Sequence, residues 1–458
     1  FFFKQKTAYE ISTRDWSSDV CSSDLNRIGG GDLPTIAVDP KNPNVVYSAS
    51  TVMWRTEDAG MNWSAVRGAP GGDDYQKIWI NPANPDMLLV VSDQGGVISA
   101  NRGASWSNWY TQPTAAMYHV TTDNAFPYRV CGGQQDSGSA CVDSRSDDGQ
   151  ITFHDWHPVG IQEYGVAAPD PKNPDLVYSS ARNTVSLWNR KTATKANVGP
   201  ELVAPFNRNV RTMPIEWSKV DPSLMFYAQN AVYKSADHGK SWTRISPDLT
   251  RHDPKTMGAS GGPITKDNTG VETYAVVFSI APAPQDINTI WAGSDDGVIH
   301  VTRDGGKTWD NVTPKDLPDF ARISLIEASP HAPGTAYVAA NRYQMDDFKP
   351  YVYKTIDYGK TWTKIVNGVK DTHFARQVRE DPRRKGLLYL GTENGIYVSF
   401  DDGAYWQPLQ LNLPDTSVQG IQVADRDLVI ATHGRSFWIL DNIGVLRQAT
   451  PQLTTENL

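Results

Sequence analysis

Five short turns carry the side chains best suited to chemistry. They read SDQGG with Asp93, GGQQDSG with Gln134, Gln135 and Asp136, SDDG with Asp295 and Asp296, TENG with Glu393, and THGR with His433 and Arg435. Carboxyls gathered in one place are what glycoside hydrolysis requires. One protonated acid serves the departing oxygen and one carboxylate serves water or the sugar carbon, roughly 5 to 9.5 Å apart depending on mechanism. Asp136 and Asp296 are the candidate acid and base, while Asp93, Gln135, Asp295, Glu393, His433 and Arg435 are candidate ligand contacts. Taken singly, each is also an ordinary turn former, because Asp and Asn before Gly satisfy turn backbone and tolerate left-handed conformations.

What brings such distant turns together is a repeat. The pattern Ser/Thr-x-Asp-x-Gly-x-x-Trp occurs at Thr56-Asp58-Gly60-Trp63, Ser235-Asp237-Gly239-Trp242, Thr302-Asp304-Gly306-Trp309, Thr355-Asp357-Gly359-Trp362 and Ser399-Asp401-Gly403-Trp406, and with Asn101 for Asp at Ser99-Gly103-Trp106. Most copies lie about 43 to 53 residues apart, the spacing of repeat architecture. Each sits between a short apolar strand such as GVIHV and a Trp-led strand such as WDNV. The Asp accepts hydrogen bonds from the turn, the Gly supplies positive φ, and the Trp folds back over the hairpin to bury its ring. A structural role therefore accounts for every defined position.

Around each box the same four strands recur, and amphipathic helical patterns are absent, so the class is all-β. Four short strands per repeat of about 45 residues are what a β-propeller blade requires, since radial closure leaves little unpaired edge. Nine units start near residues 33, 76, 115, 162, 212, 274, 321, 374 and 418. The preferred partition assigns 26–111 to the last two blades of one propeller and 112–447 to a complete seven-bladed one, with 448–458 a truncated tail. A single ring of eight to ten blades is the alternative.

With 458 residues, 39% of them hydrophobic, the chain has ample material for a core. No apolar run reaches the roughly 18 residues of a membrane span. A net charge of −8 and a pI near 5.6 argue against nucleic acid or an anionic membrane as partner. Residues 1–25, FFFKQKTAYEISTRDWSSDVCSSDL, share nothing with the repeats and resemble translated sequencing-adapter read-through, so they are set aside as non-native. Cys131 and Cys141 flank GGQQDSGSA on a hairpin. They read either as a cross-strand disulfide, which favours an exported protein, or as two small buried thiols.

The stretches WAGSDDGVIHVTRDGGKTW, GGPITKDNTGVE, IEASPHAPGTAYVAANRY, GLLYLGTENGIYVSFDDGAYWQPLQLNLP and DLVIATHGRSFWILD resemble the large bacterial Asp-box (BNR) repeat proteins. These are described as glycosyl hydrolase-like or sortilin (VPS10)-like, and the similarity runs from about residue 33 to 448. The resemblance implies β-propellers, and it implies two functional readings. One is an exported binding scaffold for a polysaccharide, peptide or protein partner. The other is a glycoside hydrolase of xyloglucanase-like type, acting on a β-glucan polymer in an inter-propeller cleft. Location outside the cell or in the periplasm goes with both. Members similar to the two-propeller xyloglucanases carry about fourteen blades, so the chain is expected to be the C-terminal portion of a longer protein.

Strands alternate direction within a blade, so the first-to-second loops share a face with the Asp boxes, and the second-to-third turns lie on the opposite one. That opposite face is the candidate site, as in the sialidase-like propellers the plan resembles. A long insertion, residues 246–275, falls on the same face and either shapes a cleft or caps the channel. The GASGG around Ser260 fits Gly-x-Ser-x-Gly but lies inside this insertion, where no strand-to-helix elbow is expected. No zinc spacing, His-Glu-x-x-His or full calcium loop is present, so no metal and no cofactor is expected.

Overall fold

The structure is a computed structural model that describes residues 34–68, 74–108, 112, 114–136, 138–181, 184–201, 207–259 and 274–449, together with a short strand pair, Phe2–Phe3 with Asn26–Arg27. The remainder of 1–25, and residues 260–273 of the insertion with Ser260 among them, lie outside the described residues. The described chain is β-structure throughout, apart from single 3-10 turns and one five-residue helix, Gly444–Gln448. It divides into two compact units, Phe1–Thr114 and Ala115–Leu458.

Besides the short strand pair, the first unit holds two antiparallel sheets among its described residues. One has the strands Thr35–Val38, Val46–Ala49, Met53–Thr56 and Ser64–Arg67, and the other Tyr75–Ile80, Leu88–Ser92 and Gly95–Ser99. They pack through Tyr47, Ala49 and Met53 on one side and Tyr75, Ile78 and Val90 on the other. Strand alternation puts Ile36, Val38, Trp79, Leu89, Val91 and Ile98 on the faces turned away from this core, where all remain exposed.

The second unit is a β-propeller. Among its described residues, seven antiparallel sheets follow one another along the chain, with strands hydrogen-bonded in sequence order within each. Their first strands are Thr121–Thr122, Ala167–Pro169, Ile215–Trp217, Val277–Pro282, Arg322–Ala328, Ala375–Glu380 and Ser417–Ala424. Each first strand touches the first strand of the next sheet, and that of the seventh touches that of the first. Closure is sealed by backbone and side chain together. Met117 N–H donates to the Thr432 carbonyl at 3.0 Å, and Tyr128 Oη donates to Asp427 Oδ2 at 2.8 Å across 299 residues of sequence.

The Asp boxes staple neighbouring sheets. In each, the Ser or Thr hydroxyl donates to the Asp or Asn Oδ1 and accepts from the Gly N–H, as at Thr355, Asp357 and Gly359 with 2.8 and 2.9 Å. The indole N–H of the closing Trp then reaches the preceding repeat. Trp106 donates to the Val66 carbonyl, Trp242 to Val198, Trp309 to Ile245, Trp362 to Val312 and Trp406 to Ile365, at 2.7 to 3.3 Å. Trp63 instead turns to Gly60 of its own box. The box backbone also donates to the first-to-second loop, Tyr358 to Gly334 and Asp402 to Gly386, which places both on one end of the sheets.

Cys131 and Cys141 are directly paired across the hairpin and joined in a disulfide, with both residues fully buried.

Candidate functional site

At the end of the sheets away from the boxes, the second unit encloses a cavity of about 1020 Å³. Its wall is built from two kinds of position. The starts of the first strands supply Tyr118, Tyr164, Arg211, Phe278, Arg322 and Arg376, and the second-to-third turns supply Gln135, Asp295, Tyr343, Glu393 and His433. No box residue lines it. The strands deliver these groups to one place because a first strand begins, and a second strand ends, at the same edge of every sheet.

Four of the turn residues named from the sequence, Gln135, Asp295, Glu393 and His433, meet in this cavity. Asp136 and Asp296 do not line it. Asp136 takes a left-handed turn conformation with φ 59°, and its N–H donates to Glu163 Oε2 at 2.9 Å. Asp296 is 1% exposed, accepts from Ser294 Oγ at 2.6 Å, and accepts the Arg251 N–H at 2.9 Å. It thereby anchors the start of the insertion to its neighbouring turn. Asp93 belongs to the first unit and accepts from Gln76 at 3.0 Å. Arg435 is exposed, with its N–H on Thr432 Oγ1 and its carbonyl receiving the Trp438 indole.

The two carboxyls in the wall have opposite surroundings. Asp295 is 3% exposed, and burial pushes its acid up to about 7 despite backbone N–H donors from Ala275 and Val276 at 2.9 Å each. Glu393 is half-buried, and its Oε2 accepts from Arg376 Nε at 2.9 Å, from the same guanidinium's terminal nitrogen at 2.7 Å and from Ser417 Oγ at 2.7 Å. One is therefore a proton holder near neutrality and the other is a charge-assisted acceptor. His433, although exposed at its surface, is pushed down by desolvation and by the Arg376 charge.

Aromatic rings complete the wall. Tyr118 meets Tyr164 edge-on at 5.2 Å and His433 at 5.3 Å, and its hydroxyl donates to Gln135 Oε1 at 2.6 Å. Tyr343 stacks on Phe374 at 5.1 Å. The aromatic and guanidinium residues at the strand starts were not singled out from the sequence. Their signal is weak but real: an Arg or Tyr recurring at the same rank ahead of an apolar first strand, as in NVRTMPIEW, FARISLIEA and FARQVRE. Among the described residues there is no group of three His, Cys, Asp or Glu side chains arranged to hold a metal ion. None of the described helices is long and apolar enough to cross a membrane.

Comparison with known proteins finds relatives at low identity. The family described as "Sortilin, neurotensin receptor 3" matches residues 230–395. An oligoxyloglucan-reducing end-specific xyloglucanase of Emericella nidulans is 26% identical over 241 residues, covering 50% of this chain and 27% of the enzyme. A xyloglucanase of Acetivibrio thermocellus is 21% identical over 466 residues, covering 82% of this chain and 52% of the enzyme. The chain thus spans about half, or less, of these curated relatives. Among solved structures, an ancestral GH74 enzyme aligns over 89% of this chain and 54% of its own, at 15% identity and a TM-score of 0.39. The chain is similar to sortilin-like and glycosyl hydrolase-like β-propeller proteins.

Proposed function

We propose that this chain is part of an exported glycoside hydrolase of xyloglucanase-like type, acting on a β-glucan-type polysaccharide, with the cavity of the second unit as the place where sugar is held. The observation that carries this reading is the pair of wall carboxyls in opposite surroundings, Asp295 buried against backbone N–H groups and Glu393 half-buried against Arg376 and Ser417. Asp295 keeps a proton for the departing glycosidic oxygen, and Glu393 is the carboxylate positioned to take one from water. Tyr118, Tyr164, Tyr343 and Phe278 offer apolar faces for sugar rings and, in the tyrosines, hydroxyls for their substituents. The similarity to xyloglucanases supports the same substrate class. We further propose that the seven sheets form one complete seven-bladed propeller. The exposed apolar faces at Ile36, Val38, Trp79 and Leu89 support reading residues 34–108 as two blades of another.

The test is hydrolysis of xyloglucan and mixed-linkage glucan by the full chain, alongside Asp295→Asn and Glu393→Gln. Each variant is expected to lower kcat by roughly 100-fold or more, the scale of losing a general acid or base. Hydrolysis unchanged in both defeats the assignment. A binding scaffold is the second reading, and the grip of Arg376 and Ser417 on Glu393 favours it, because a carboxylate so tied is a poor base. Retained glycan binding without turnover in the unmodified chain selects that reading.

A further inference from the structure

Three guanidinium groups enter the cavity from equivalent places. Arg322 opens the strand Arg322–Ala328, Arg376 is second in Ala375–Glu380, and Arg211 lies four residues ahead of Ile215–Trp217. Each is held against an aromatic ring: Arg211 over Tyr164 at 4.6 Å, Arg322 over Phe278 at 5.0 Å, Arg376 over Phe374 at 4.8 Å. Stacking fixes the plane of a guanidinium and leaves its edge to donate.

Their charges are unequally met. Arg376 forms the ion pair with Glu393. Arg211 donates to the Tyr164 hydroxyl, with Glu163 and Asp136 acting on that tyrosine from beyond it. Arg322 donates to Gln344 Oε1 at 2.6 Å and, at 3.4 Å, to the Tyr343 hydroxyl. Its Nε is buried and without a hydrogen-bond partner among the described residues. Asp295, a wall carboxyl on which the Arg322 charge acts, spends its Oδ1 on two backbone N–H groups. A site for neutral sugar alone has no use for two guanidinium groups that form no ion pair among the described residues, since hydroxyls are matched by uncharged donors at smaller desolvation cost.

We infer that the saccharide taken by this cavity carries a carboxylate, as a uronic acid residue does, and that Arg322 and Arg211 receive it. This rests on the carbohydrate reading above and narrows its substrate class to β-glucan-type chains that also carry an acidic sugar. The carboxylate would lie against the guanidinium edges, occupying the unmet Arg322 Nε, while the tyrosine faces carry the ring.

The experiment is calorimetric titration of the full chain with two oligosaccharides of equal length, one a neutral xyloglucan fragment and one bearing glucuronic acid. It is run at about 20 mM and about 500 mM salt, where screening lengths differ several-fold. The acidic ligand is expected to bind roughly 10-fold tighter or more at low salt, with the preference shrinking at high salt. Arg322→Gln and Arg211→Gln should each remove roughly 10- to 100-fold of acidic binding. Both variants should keep the far-ultraviolet circular dichroism and thermal midpoint of the unsubstituted protein, which shows the site folded, and Arg322→Lys should restore part of the loss. Equal binding of both oligosaccharides, indifferent to the arginine variants, overturns this inference and leaves the carbohydrate reading standing. Binding of neither overturns both.

Discussion

Replacing Trp406 offers the sharpest test of how the blades are joined. Its indole is fully buried, and the N–H donates to the Ile365 carbonyl of the preceding sheet at 2.8 Å. Trp406→Phe keeps most of the apolar area but strands a buried carbonyl, which costs about 1 to 3 kcal/mol. Trp406→Ala also leaves a cavity against Leu388, Leu390 and Tyr397, for a total of about 3 to 5 kcal/mol. The matched control is Trp438, whose indole donates at 2.9 Å to the Arg435 carbonyl only three residues away, a bond within its own hairpin. Trp438→Phe should therefore cost under about 1 kcal/mol, since that carbonyl remains open to water. Urea unfolding followed by far-ultraviolet circular dichroism gives all three free energies from midpoint and slope. If Trp406→Phe falls within about 0.5 kcal/mol of the unsubstituted protein, or Trp438→Phe proves as costly, the indole bonds do not hold neighbouring sheets together and the reasoning fails.

Two further outcomes follow from the same structure. Asp295 is raised from its ordinary 3.8 to about 7, so between those values the unfolded chain has released a proton that the folded chain retains, and stability falls as pH rises through that window. Asp295→Asn lacks this penalty, so its unfolding free energy relative to the unsubstituted protein should improve from pH 4 to pH 8; a difference that stays flat or reverses refutes the burial argument. The Cys131–Cys141 disulfide spans a sequence separation of 10, and chain-entropy reasoning gives it about 3 kcal/mol. The double substitution of both cysteines by Ala should lower the urea midpoint accordingly, and no shift would show that the hairpin is held by its strand pairing alone.

The repeat, the all-β class and the box turns were legible in the sequence because they rest on interactions a few residues long. A Thr hydroxyl, an Asp carboxylate and a Gly N–H four positions on settle Thr355 to Gly359 whatever surrounds them. Strand alternation likewise pointed to the end of the sheets opposite the boxes, where Gln135, Asp295, Glu393 and His433 gather. The tertiary structure decided the rest. Asp295 and Asp296 are neighbours in one turn, and only the packing of that turn against residues 251 and 275–276 shows which carboxyl reaches the cavity. The cysteines admitted two readings until strand register set Cys131 opposite Cys141. Arg211, Arg322 and Arg376 share only a faint local signature, an Arg just ahead of or at the start of an apolar first strand. They became a group only when ring closure brought the starts of separate first strands around one cavity, a convergence written in contacts between residues far apart in the chain.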